Sequence, residues 1–124
     1  MIEKIKKIYL FSGIYGIIVL LPQLFMETKT GIDYPPAITH PEFYYGFVGV
    51  ALAWQIFFIL ISKDPIRYKP IVIAGILEKA SFGFSSIILF ALGRIPTLVL
   101  FFSTIDLIIM CLLIFSYLKT PDYK

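Results

Sequence analysis

Three charged side chains fall inside two long apolar stretches of the 124-residue chain: Glu78 and Lys79 within 71–92, and Asp106 within 97–118. A charge in hydrocarbon is costly, so an ionisable residue there normally faces protein and has a partner or a task. An acid and a base side by side, with a second acid on the next stretch, suit three kinds of chemistry. They can pair and fix helix register, hold a polar group of a ligand, or pass protons or ions. Gln55 is polar in an otherwise apolar run, and Tyr15, Ser81 and Ser103 occupy comparable positions. These seven residues are the candidate polar site. No nucleophile–base set, cofactor motif or metal-ligand cluster accompanies them, so no cofactor or metal is expected and enzymatic catalysis is the lesser reading.

The elements that must position these groups follow from composition. Hydrophobic residues make up 59% of the chain and charged residues only 15%, against roughly 45–50% and 25% in ordinary soluble domains. A soluble chain this short could not cover that much apolar surface. The reading is one membrane domain over 1–124, with membrane lipid as its natural solvent and no nucleic-acid partner. A span needs about 20 mostly apolar residues, and four stretches qualify: 8–25, 42–62, 71–92 and 97–118. Tyr34-Pro35-Pro36, Asp64-Pro65, Pro70 and Gly93-Arg94-Ile95-Pro96 separate them. Short connections make successive helices antiparallel neighbours. The predicted fold is all-α, an antiparallel four-helix transmembrane bundle.

Lys and Arg set the orientation. Lys4, Lys6, Lys7, Lys63, Arg67, Lys69, Lys119 and Lys124 fall on one side, and only Lys29 and Arg94 on the other. Both termini are therefore expected in the cytoplasm, and a dual-topology protein is disfavoured. The Lys-rich start resembles a signal peptide, but Pro22-Gln23-Leu24-Phe25-Met26-Glu27 contains no small-x-small cleavage site. The single cysteine, Cys111, cannot form an internal disulfide, which removes thiol oxidoreductases that need a Cys pair in one chain.

At about 1.5 Å per residue, Glu78, Gln55 and Tyr15 each lie roughly 10 Å from the basic side. Lys79 is slightly deeper, and Asp106 is about 18 Å deep, near the midplane. The expectation is one polar layer shared by all four helices, with Lys79 reaching toward Asp106 and Glu78 near Gln55 and Tyr15, either hydrogen-bonded or protonated. Glu78, Ser81 and Ser85 share a face at i, i+3 and i+7, and Ser103 shares the face of Asp106. Gly75 and Gly83 flank Lys79 on the adjoining stripe and leave room for its stem. Span 71–92 holds twelve Ile, Leu, Val or Phe residues. They contribute about −5 kcal/mol to insertion, and two charges at about +2.5 to +3.5 kcal/mol each cancel most of it. That span should depend on its neighbours.

The remaining motifs read structurally. Thr39-His40-Pro41-Glu42 is a helix start, with Thr39 as N-cap and Glu42 completing a capping box. One histidine and one carboxylate are too few for a metal site. Gly46, Gly49 and Ala53 form a small-residue stripe suited to close helix packing. Tyr9, Tyr44, Tyr45, Tyr68 and Tyr117 fall near span ends, as in interfacial aromatic belts. Residues 26–41 are expected as the longest loop, outward-facing and stiffened by Pro35 and Pro36.

The segments His40-Pro41-Glu42-Phe43-Tyr44-Tyr45-Gly46-Phe47, Ala53-Trp54-Gln55, Lys63-Asp64-Pro65 and Leu77-Glu78-Lys79 resemble those of small bacterial four-span proteins. In length and span count the chain is similar to the DoxX-like group. That resemblance implies a bacterial inner (plasma) membrane protein and carries no catalytic residues. The aromatic first loop, polar second span and Leu118-Lys119-Thr120-Pro121-Asp122-Tyr123-Lys124 tail are similar to the EXPERA group of sterol-handling proteins. The acidic residues of that group's first two spans have no clear match here. Small multidrug transporters are also four-span, but their defining glutamate is in the first span, where this chain has none. The leading functional expectation is an intramembrane polar cavity that binds a small amphipathic molecule, or a membrane accessory subunit of a larger complex. The alternative is a small-solute or proton-coupled transporter working as a homo-oligomer. An EXPERA-like lipid isomerase comes third.

Overall fold

The computed structural model describes residues 1–124. It is entirely helical: α1 (Ile2–Leu20), α2 (Glu27–Asp33), α3 (Pro41–Lys63), α4 (Val72–Ala91) and α5 (Thr97–Lys119). Single 3-10 turns extend α1 through Leu21–Phe25 and precede α4 at Lys69–Ile71. Four of these segments, Ile2–Phe25, Pro41–Lys63, Lys69–Ala91 and Thr97–Lys119, are each long and apolar enough to cross a membrane.

Local sequence explains each boundary. Pro22 lacks an N–H and disfavours helix before it, so α1 tightens into a 3-10 turn there. Pro41 occupies the first turn of α3, where no helical partner is lost, and Asp64-Pro65 ends it. Gly93 closes α4 at φ +69°, a left-handed conformation that suits glycine. The Arg94 N–H then bonds Leu89 O and the Gly93 N–H bonds Phe90 O, both at 2.9 Å, capping the final carbonyls.

Two local expectations are corrected. The N-cap of α3 is His40, not Thr39, and no side chain caps it. Pro41 takes the first helical position, so Glu42 is one residue too early for a capping box; its Oε1 lies 3.3 Å from His40 Nδ1 instead. The segment 26–41 is not all loop. It contains α2, braced by Lys29 Nζ bonded to Asp33 Oδ2 at 2.7 Å one turn on.

The long helices pack chiefly as two pairs, α1 with α3 and α4 with α5. Gly13 lies beside Ile59, Gly16 beside Gln55, and Tyr44 reaches Gln23, so α1 and α3 run antiparallel. Gly75 beside Phe58 and Lys79 beside Gln55 show the same sense between α3 and α4. The eight basic residues grouped by sequence therefore gather at one end, called here the basic end. That half is packed solid by Ile5, Tyr9, Phe58, Ile61, Val72, Ile109 and Leu113. Tyr9 thus belongs to the core, only 1% exposed, and not to an interfacial belt; it lies one turn from Ile5 on the same buried face.

Polarity is inverted relative to a soluble protein. Gln55, Lys79 and several serines are buried, while Phe11, Ile18, Phe25, Phe43, Leu92 and Leu118 are all more than 60% exposed. An exterior this apolar is of the kind that a membrane or another chain covers. The small residues also play different parts than expected. A Cβ on Gly46 or Gly49 would meet no atom within 4 Å, so that stripe packs against nothing. Close approach occurs instead at Gly13, where a Cβ would lie 2.6 Å from Gln55 O, and at Gly16, Gly75 and Gly83.

Candidate functional site

Beyond the packed half, the two helix pairs diverge and leave a cavity of about 800 Å³ bounded by all four long helices. Glycines explain the geometry at its base. Gly16 leaves room for the Gln55 side chain, which would overlap any Cβ there. Gly75 admits the Phe58 ring and Gly83 admits Leu107, one turn to either side of Lys79. These approaches hold the helices together around Lys79; further toward the other end α3 and α4 meet through the Phe47 and Phe82 rings, whose centroids are 6.1 Å apart.

Glu78, Lys79, Asp106, Gln55, Tyr15 and Ser81 all line this one cavity. Lys79 is its pivot. Its Nζ lies 3.4 Å from Asp106 Oδ1, 3.6 Å from Glu78 Oε2 and 3.5 Å from Gln55 Oε1. The Phe58 ring centroid is 5.7 Å from the same nitrogen, a cation–π contact. With a side chain only 3% exposed, Lys79 is surrounded, whereas Glu78 and Asp106 keep 17% and 14% exposure. The amide of Gln55 is fixed by donating from Nε2 to Ala51 O at 2.8 Å, which turns Oε1 toward Lys79.

Ser103 is in a different place. It is fully buried, donates to Leu100 O at 2.8 Å, and is not on the cavity lining. Its carbonyl would be 3.4 Å from a Cβ on Gly83, so it lies in the tight α4–α5 contact. Sharing a face with Asp106 at three residues' spacing places it on the flank turned toward α4. Glu78 also departs from expectation. It hydrogen-bonds to neither Gln55 nor Tyr15, and its Oε2 is buried with no hydrogen-bond partner. Ser81 and Ser85 line the cavity, but each hydroxyl donates to its own helix, to Leu77 O and Ser81 O.

The walls were not singled out from the sequence. Phe47 and Trp54 on α3, Phe82 on α4 and Phe102 on α5 face the cavity, and Gly46 and Gln23 lie toward its far end. The available signal was spacing: Phe47, Ala51 and Trp54 sit at i, i+4 and i+7 beside Gln55, one helical face. The floor is thus polar and the walls aromatic and aliphatic. Glu78, Lys79 and Asp106 are the only charged residues on the lining. Two carboxylates around one ammonium leave the floor one negative charge in excess when all three are ionised. Such a site can accept hydrogen bonds, hold a positive group or exchange protons. No known family model matches the chain, and neither a curated protein nor a solved structure matches it.

Proposed function

We propose that this is a multi-pass membrane protein whose cavity binds a small amphipathic molecule. The observation that carries the reading is the union of a charged floor with aromatic and aliphatic walls in one cavity of about 800 Å³, within the size range of small-molecule sites. A dry register-fixing ion pair has no need of that space. The eight-to-two distribution of basic residues supports cytoplasmic termini by the positive-inside tendency. The proposed setting is a bacterial inner membrane, with a DoxX-like topology. The chain either binds the molecule itself or presents it as an accessory subunit of a larger complex.

Trp54, the sole tryptophan, lines the cavity, so its emission reports occupancy. The test is quenching by para-bromophenylbutanol, a neutral amphiphile whose bromine quenches on contact. Saturable quenching is expected, and Gly46→Leu, which places a side chain into open space beside the cavity, should abolish it while helicity persists. Quenching that is linear in probe and unchanged by Gly46→Leu refutes a binding cavity. One observation favours a second reading, proton-coupled transport through a homo-oligomer: two carboxylates, Glu78 and Asp106, share one ammonium on the lining of a cavity within the spanning helices. That reading requires solute uptake driven by a pH gradient in proteoliposomes and its loss in Glu78→Gln.

A further inference from the structure

The geometry points to the chemical class of the ligand: the cavity takes an amphiphile bearing a protonated amine, held through Glu78 and Asp106. This rests on the binding reading above and narrows it.

The argument begins with which charges remain available. An ammonium has three N–H donors, and Lys79 has three oxygens around it, from Asp106, Glu78 and Gln55, at 3.4 to 3.6 Å. Its side chain is nearly inaccessible. An anionic ligand would have to displace these neighbours to reach it. The carboxylates are the groups with spare capacity. Each can accept about four hydrogen bonds, and each receives only long contacts from Lys79. Glu78 Oε2 has no partner that meets hydrogen-bond geometry, although its residue lines the cavity. Oε2 itself is enclosed, so a ligand ammonium meets the carboxylates through the exposure that Glu78 and Asp106 keep, 17% and 14% against 3% for Lys79.

Charge balance and walls agree. When Glu78, Lys79 and Asp106 are all ionised, a monovalent cation neutralises the floor. No third acidic residue, His or Cys joins Glu78 and Asp106, so the donor set is too small for a metal ion. The walls next to the floor are aromatic, with Trp54, Phe47, Phe82 and Phe102 on three helices, and aromatic faces attract organic cations while packing their apolar parts. The Lys79–Phe58 contact is the same interaction already present within the chain. A neutral alcohol would satisfy Glu78 but leave the charge excess, and a carboxylate would increase it.

The test compares three probes of one shape in the same detergent micelle: para-bromophenylbutanol, the corresponding dimethylamine and the corresponding butanoate. Quenching of Trp54 reads each. The amine is expected to bind at least tenfold more tightly than the alcohol, and the butanoate more weakly than either. Glu78→Gln leaves a neutral Lys79–Asp106 pair on the floor, so it should reduce the amine-to-alcohol ratio at least fivefold. Comparing ratios between native and variant chains in one micelle cancels probe partitioning. An unchanged far-UV circular dichroism spectrum shows that the variant is folded. If amine and alcohol bind equally, or Glu78→Gln leaves their ratio unchanged, the amine assignment is overturned while the cavity reading stands. If no probe binds saturably, both fall.

Discussion

Lys79 holds the floor together if its charge compensates two carboxylates, and removing it should then be far worse than removing either partner. In Lys79→Met the aliphatic stem is kept, so local packing changes little, while Glu78 and Asp106 lose the ammonium at 3.6 and 3.4 Å. At an effective dielectric of about 20, each of these attractions amounts to roughly 5 kcal/mol before desolvation. Breaking a buried pair and stranding its partner costs about 3–5 kcal/mol net, and here two carboxylates are stranded together. The expected loss is about 3–5 kcal/mol. Glu78→Gln leaves one cation and one anion 3.4 Å apart, so its expected change is within about 1 kcal/mol. The triple variant Lys79→Met, Glu78→Gln, Asp106→Asn carries no charge on the floor and should recover to within about 1 kcal/mol of the native chain. Reversible unfolding by SDS in mixed micelles, followed by Trp54 emission and far-UV circular dichroism, gives all three values. The ordering is the sensitive quantity. If Lys79→Met costs no more than Glu78→Gln, or if the triple variant is as unstable as the single lysine variant, Lys79 is not shared as described.

The glycines give opposite signs under the same assay. In Gly13→Ala the new Cβ meets Gln55 O at 2.6 Å and Ile59 Cγ1 at 2.7 Å; the carbonyl cannot rotate away, so α1 and α3 must part, at a cost of about 1–3 kcal/mol. Gly49→Ala meets nothing and should stabilise α3 by about 0.5–1 kcal/mol; destabilisation there would mean that the face is packed against another chain. Tyr44→Phe removes the bond from Tyr44 Oη to Gln23 O at 2.6 Å. It should cost about 1 kcal/mol and speed amide exchange in 21–25; unchanged exchange there would show that the bond does not hold the end of α1.

The helices were legible because their boundaries are chemical. Pro41 and Pro70 suit the start of a helix, Pro22 tightens one into a 3-10 turn, and Asp64-Pro65 and Gly93 end one, all by backbone geometry that needs no knowledge of neighbours. The proximity of Lys79 to Asp106 was legible for a similar reason: depth follows from rise per residue once the helices are antiparallel. Rotation of each helix about its axis was not. Gly46 and Gly49 look as suited to close packing as Gly13 and Gly16, and only the facing surface decides between them. Gln55 settles that choice here, since its side chain needs the space that Gly16 leaves. The same uncertainty in rotation put Ser103 with the polar group when it lies in the contact beside Gly83. It also put Glu78 against Gln55, whose amide is committed to Ala51 O and Lys79. The cavity itself arises from two helix pairs diverging above a packed half, a property of the assembled surfaces and not of any one span.

The central claim is that the charged layer floors an accessible cavity. Single cysteines test it directly, in a Cys111→Ser background because the native thiol is exposed. In lipid nanodiscs, Gly46→Cys and Ser81→Cys line the cavity and should react with a small, charged methanethiosulfonate reagent, whereas Ser103→Cys, fully buried in the α4–α5 contact, should react at least a hundredfold more slowly. Equal protection of Ser81→Cys and Ser103→Cys would contradict the account, because the layer would then be a dry contact between helices.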